Sequence, residues 1–168
     1  MAPTEAGKRQ LDEQGFVQLE GFLSAERRTS LKERLLALFE EEGERAGSEF
    51  KQEPGARRLA NLVDKGELFR ECILAPEMLA YVGHVLGGRF KLSSLNARSA
   101  NPRNDEAQPL HVDMGLVPDE RGYSVCNTVF MLDDFTTENG ALRAVPGSHR
   151  WGRRPQDVLP HPEAPHPG

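Results

Sequence analysis

The spacing of apolar residues changes near Phe90, and this change constrains the fold more than any other feature of the sequence. Before it, Leu31, Leu35 and Leu38 recur at helical spacing behind Ser24, a residue type that caps helices. After it, apolar and polar residues alternate over short stretches, as they do in half-buried strands. Helices followed by strands predict an α+β fold, in which helices brace a β-sandwich or barrel.

The same patterns place the individual elements. We predict helices from Ser24 to about Gly43, over residues 67–73, and from Pro76 to Gly87, because proline suits a first helical turn and glycine ends a helix. Residues 1–10 are predicted to be frayed and residues 43–58 to form a mobile loop. The predicted strands cover residues 15–20, 90–96, 108–113, 123–132 and 141–145.

Length and charge limit the class of protein. The 168 residues suit one domain, divided into a strand and helical support at about 11–90, sheet strands at about 90–155 and a proline-rich tail at 156–168. With 21 basic and 26 acidic residues, the net charge of −5 favours neither nucleic acid nor an anionic membrane as a partner. Two cysteines without a metal-ligand pattern, and no apolar leader or span, predict a cytoplasmic protein.

One short motif in the second half of the chain points to metal chemistry. His111 and Asp113 are two residues apart, so on a strand both side chains lie on one face, with Cβ atoms roughly 7 Å apart. An imidazole nitrogen and a carboxylate oxygen can then bind one metal ion. One histidine and one carboxylate are two of the three ligands of the facial triad that binds Fe(II) in oxygenases. We expect both side chains to point into the predicted sandwich.

Four stretches together resemble the phytanoyl-CoA dioxygenase family of Fe(II)/2-oxoglutarate oxygenases. Their order and spacing match that family across nearly the whole chain. They are Asp-Glu-Gln-Gly-Phe-Val at 12–17, Gln-Pro-Leu-His-Val-Asp at 108–113, Leu-Asp-Asp through Glu-Asn-Gly-Ala-Leu at 132–142, and Val-Pro-Gly-Ser-His-Arg-Trp-Gly at 145–152.

The resemblance implies a double-stranded β-helix, a cupin-like jelly roll with N-terminal helices. It implies that His111 and Asp113 bind Fe(II), and that Asn96 and Arg98 contact the co-substrate 2-oxoglutarate; their structural alternative is a polar strand edge. The substrate would be a small organic molecule that reacts with O₂. No protein side chain beyond the metal ligands is assigned a catalytic role.

The third iron ligand stays open. In the family the distal histidine, and the arginine that binds 2-oxoglutarate, lie well beyond the Pro-Gly-Ser-His turn, whereas no arginine follows Arg154 here. His149 is then a turn residue or a substitute ligand, and His161 and His166 lie in the proline-rich tail. We therefore expect a jelly roll that is incomplete at its C-terminus.

Two functions fit these observations. The first is a 2-oxoglutarate-dependent non-haem iron dioxygenase that hydroxylates a small organic substrate, with the activity of this chain alone left open. The second is a non-catalytic fragment or degenerate jelly-roll domain that acts by association. Substrate identity depends on the loops around the site, and their sequences do not reveal which molecule binds.

Overall fold

The computed structural model describes residues 3–100, 108–113, 120, 122–136 and 138–161. Short 3₁₀ turns cover Gly43–Arg45, Leu62–Asp64 and Ser148–Arg150. Within these ranges the α-helices are α1 (Glu5–Gln14), α2 (Ala25–Glu42), α3 (Glu67–Ile73), α4 (Pro76–Leu86) and α5 (Pro155–Val158), and the strands are β1 (Ala56–Leu59) and β2 (Ala97–Ala100).

The three helices predicted from the sequence are confirmed. Ser24 caps α2, since its side chain accepts a hydrogen bond from the backbone N–H of Arg27. The helix α3 follows Gly66, and α4 has Pro76 in its first turn and Gly87 at its end. These boundaries depend on residues within one turn of each helix end, which is why the sequence alone locates them.

The prediction of a frayed N-terminus is wrong from residue 5 onward, where α1 begins. The hydroxyl of Thr4 accepts a hydrogen bond from the N–H of Gly7 at 3.0 Å, which satisfies one of the free donors of the first turn. Gly15 ends the helix with φ +84°, a left-handed conformation that favours glycine. The phenol oxygen of Tyr81 accepts from the N–H of Thr4 at 3.3 Å, so α4 holds the start of α1.

The hydrophobic core forms where α2 meets β1, α3 and the turn that precedes α3. Leu59 is completely buried at its centre. Phe130 and Leu132, from the second half of the chain, pack against it and are partly buried. Its buried members are Leu31, Leu38, Phe39, Leu59, Leu62, Phe69 and Cys72.

The strands β1 and β2 pair antiparallel, with Ala56 opposite Ala100 and Leu59 opposite Ala97. Residues 43–58 are therefore only partly loop, because they include a 3₁₀ turn and the start of β1. This pairing joins the chain before α3 to the chain after α4.

The predicted strands at 15–20, 90–96, 108–113, 123–132 and 141–145 are not formed as paired strands in the described residues. Residues 129–132 still alternate between exposed and half-buried, as a strand does. Alternation reports only which face a side chain occupies, whereas a strand also needs a neighbour for its N–H and C=O groups. The double-stranded β-helix therefore stays a prediction.

Candidate metal-binding site

The side chains of His111 and Asp113 lie close together, although the strand expected at 108–113 is not formed in the described residues. The Nε2 atom of His111 lies 3.4 Å from the Oδ1 atom of Asp113. Their side chains are 58% and 55% exposed. The expected enclosure of the pair within a sandwich is therefore not found among the described residues.

A neighbouring carbonyl orients the imidazole. The Nδ1 atom of His111 lies 3.0 Å from the carbonyl oxygen of Pro109, which can only accept a hydrogen bond. Nδ1 therefore carries a proton, and in the neutral ring Nε2 presents a lone pair toward Asp113. Histidine ligands of metals are commonly fixed by such a hydrogen bond on the other ring nitrogen.

The distance between these two atoms fits a shared cation. Two ligand atoms that each lie about 2.1 Å from one ion are roughly 3.0–3.4 Å apart when they subtend about 90–110°. A lone pair facing a carboxylate oxygen at 3.4 Å is repulsive unless a proton or a metal ion lies between them. Imidazole and carboxylate together suit divalent iron. The pair thus supplies two ligands for such an ion.

A cavity of about 220 Å³ adjoins His111. Its walls come from the end of α1, from residues 110–112, from residues 143–145 and from the segment 148–155. Phe16, Val112 and Trp151 contribute apolar surface, and Arg143 contributes a cationic group. The cavity therefore places space for a small molecule beside the imidazole.

The model of the phytanoyl-CoA dioxygenase family matches residues 11–166. The chain belongs to the phytanoyl-CoA dioxygenase family.

Several fungal dioxygenases are similar to this family member. Dioxygenase sphC of Aspergillus fumigatus is 32% identical in an alignment that covers 56% of this chain and 29% of sphC. Dioxygenase FUM3 of Gibberella moniliformis is 28% identical in an alignment that covers 56% of this chain and 36% of FUM3. Dioxygenase ALT11 of Alternaria alternata is 29% identical in an alignment that covers 83% of this chain and 52% of ALT11.

The matched stretches thus span about a third to a half of the length of these relatives. No solved structure matches the chain. Within the described residues, no helix is long and apolar enough to cross a membrane.

His149, the substitute ligand considered from the sequence, is engaged elsewhere. Its Nε2 atom lies 3.0 Å from the carbonyl oxygen of Asp12 at the end of α1, and its Nδ1 atom is buried. Gly147 donates its N–H to the carbonyl oxygen of Gln14 at 2.8 Å. The Pro-Gly-Ser-His turn of this family member therefore docks on α1.

No third histidine, cysteine or acidic residue joins His111 and Asp113 within the part of the chain that the structure describes. His161 lies on the described part of the tail, whereas His166 lies outside the described residues. The identity of the third ligand thus stays open.

Arg98 lies on β2 and binds an acidic side chain. Its Nε atom donates to Oε1 of Glu53 at 2.6 Å, and Arg58 donates to Oε2 at 2.9 Å. Burial would raise the pKa of Glu53, but the hydrogen bonds from Arg58 and Arg98 and the charge of Arg58 lower it to about 2. Arg98 therefore helps to join β2 to the chain before β1.

Asn96 precedes β2, and its Oδ1 atom is buried without a hydrogen-bond partner among the described residues. Neither Asn96 nor Arg98 lines the cavity beside His111, as far as the described residues define it.

Three polar side chains that the sequence analysis did not select hold the His-x-Asp segment. Arg143 donates to the carbonyl oxygen of Gln108 at 2.6 Å, and Gln156 donates to that of Leu110 at 3.0 Å. The Nδ2 atom of Asn127 donates to Oδ2 of Asp113 at 2.5 Å. These contacts join residues 14 to 46 positions apart, so no local motif indicates them.

Proposed function

We propose that the chain carries the iron-binding motif of an Fe(II)- and 2-oxoglutarate-dependent dioxygenase that hydroxylates a small organic substrate. The observation that carries the proposal is the convergence of His111 Nε2 and Asp113 Oδ1 to 3.4 Å beside a cavity. Membership of the phytanoyl-CoA dioxygenase family, and relatives named as dioxygenases, support it.

The chain's own residues would prepare the site in two ways. The Pro109 carbonyl keeps the proton of His111 on Nδ1, so that Nε2 is free to bind the metal ion. The apolar side chains of Phe16, Val112 and Trp151 would cover the apolar part of a substrate and displace water. Bound Fe(II) would supply the open positions at which 2-oxoglutarate and O₂ react.

Asn96 and Arg98 stay proposed contacts of 2-oxoglutarate. The Nδ2 atom of Asn96 can donate to a carboxylate, whereas its buried Oδ1, which lacks a described donor, can only accept. Arg98 would have to exchange the carboxylate of Glu53 for that of the co-substrate. We therefore expect Asn96→Ala to weaken 2-oxoglutarate binding, and Arg98→Ala to act chiefly through the loss of its bond to Glu53.

Calorimetric titration of Mn(II), or of Fe(II) without oxygen, tests the metal site. We expect His111→Ala and Asp113→Ala each to weaken binding at least 100-fold, since loss of a hydrogen-bonding partner of a ligand alone costs ~10–100-fold. His84→Ala is the matched control, because it removes an imidazole that is bound to Asp12 instead. Circular dichroism checks that each variant is folded.

The same titration separates the two functions considered from the sequence. If His149→Ala also abolishes binding, the chain completes its ligand set with His149. Metal binding that survives His111→Ala would refute the proposal and leave a non-catalytic domain that acts by association. Consumption of 2-oxoglutarate by the unmodified chain, lost in His111→Ala, is the corresponding test of activity.

A further inference from the structure

We propose that Asn127 is a positioning residue that fixes how Asp113 binds the metal ion. This inference rests on the proposed function, because it concerns the same two ligands. Asn127 would determine which carboxylate oxygen of Asp113 faces the ion. It would thereby also determine how many coordination positions on the ion stay open.

The two oxygens of Asp113 have different partners. Oδ2 accepts a hydrogen bond from Nδ2 of Asn127 at 2.5 Å, and Oδ1 lies 3.4 Å from Nε2 of His111. A carboxylate oxygen can only accept, so the amide nitrogen of Asn127 must be the atom that faces it. One oxygen is thus held by the protein and the other is directed toward the histidine.

This division has a consequence for the metal ion. A carboxylate that is hydrogen-bonded through one oxygen favours binding the ion through the other oxygen alone. A facial triad needs such single attachment, because a carboxylate that binds with both oxygens would occupy a position required for co-substrate or O₂. Asn127 therefore favours the coordination that an oxygenase requires.

The segment that carries Asn127 is anchored to the hydrophobic core a few residues further along the chain. Phe130 and Leu132 pack against the hydrophobic core, and the ring of Phe130 lies 5.9 Å from that of Phe22. Val129 and Met131, which alternate with them, are exposed. Asn127 lies three residues before Phe130, so the packing of Phe130 and Leu132 anchors the segment that presents Asn127 to Asp113.

The residue type suits this role. An amide donates a hydrogen bond without adding a charge, whereas an acid at this position would repel Asp113. Histidine or cysteine there would compete as a ligand for the ion. Leucine branches at the same atom as asparagine and has no donor, so Asn127→Leu removes the hydrogen bond and keeps the side-chain length, at the cost of a bulkier end.

The first arm of the test needs no metal. In the NMR spectrum of the metal-free chain, we expect the side-chain amide protons of Asn127 to move when Asp113 is replaced by alanine. His111→Ala, which leaves the Asp113 carboxylate in place, should move them less. An amide signal that does not respond to Asp113→Ala would overturn the proposal, whatever the chain binds.

The second arm measures Mn(II) affinity and the visible spectrum of bound Co(II), whose bands depend on the coordination number. We expect Asn127→Leu to weaken affinity ~10–100-fold and to alter the Co(II) spectrum. Asn127→Gln, which returns the amide one methylene further out, should recover part of both. Thr128→Val removes a polar group at the exposed neighbouring residue and should change neither.

The outcomes distinguish this inference from the proposed function. If His111→Ala and Asp113→Ala abolish binding while Asn127→Leu matches the unmodified chain in affinity and spectrum, Asn127 has no positioning role and the metal site stands. If the alanine variants bind as tightly as the unmodified chain, the proposed function fails, and with it the role of Asn127 at a metal ion.

Discussion

The helical region, residues 3–88, and the extended region, which comprises the described residues from 90 to 161, differ in how they bury apolar side chains. All twelve buried hydrophobic residues of the described chain lie between Leu31 and Val82. Nine of the thirteen large hydrophobic residues that are exposed lie in the extended region, among them Val129 and Met131. The helical region has a closed core, and the extended region contributes partial cover to it through Phe130 and Leu132.

The difference arises because helices and extended segments differ in how their backbone groups find hydrogen-bond partners. A helix forms its backbone hydrogen bonds within one stretch of chain and needs only to cover one apolar stripe. An extended segment needs neighbours both for its backbone groups and for its apolar face. The proposed metal site lies in the extended region, so its geometry depends on the contacts that Asn127, Arg143 and Gln156 make with residues 108–113.

The largest effect is expected at the centre of the helical core. Leu59→Ala should lower the free energy of unfolding by about 2–5 kcal/mol, because Leu59 is fully buried and its loss leaves a cavity. Val129→Ala, at a side chain that is 52% exposed, should change it by less than about 0.5 kcal/mol. Urea unfolding followed by circular dichroism measures both. Equal losses in the two variants would contradict the contrast between the regions.

The second effect concerns the contact between α1 and the Pro-Gly-Ser-His turn. A Cβ atom at Gly15 would lie 2.4 Å from Nδ1 of His149, so Gly15→Ala must displace the turn. Gly21→Ala is the matched control, since Gly21 also has a positive φ, +67°, but open space around it. The left-handed conformation costs each variant about 1–2 kcal/mol. We expect Gly15→Ala to lose roughly 1–3 kcal/mol more than Gly21→Ala; similar losses would show that the turn is not held against α1.

The third effect depends on pH. Glu53 loses its charge in Glu53→Gln, which should cost roughly 1–3 kcal/mol at pH 7 through weaker bonds to Arg58 and Arg98. Because folding lowers the pKa of Glu53 from 4.5 to about 2, its stabilisation is present above pH 4.5 and is lost as the pH falls toward 2. Unfolding curves between pH 7 and pH 2 should therefore converge for the two proteins. A constant difference over that range would count against an ionised Glu53 as the source.

The sequence by itself determined the features that depend on neighbouring residues. The bounds of α2, α3 and α4 follow from Ser24, Gly66 and Pro76, each within a turn of a helix end. The two-residue spacing of His111 and Asp113 keeps them near each other along the chain, and their side chains lie 3.4 Å apart. The four motifs, taken together, were enough to indicate the family.

Tertiary structure decided the hydrogen bonds between residues that are far apart in the sequence. Arg98 binds Glu53 across 45 positions, His149 binds the Asp12 carbonyl across 137, and Asn127 binds Asp113 across 14. The pairing of β1 with β2 is of the same kind, because neither strand lies within a segment that alternation predicted as a strand. Alternation and capping describe one segment at a time, whereas a donor or a strand edge is satisfied by whichever partner the packed core brings near it.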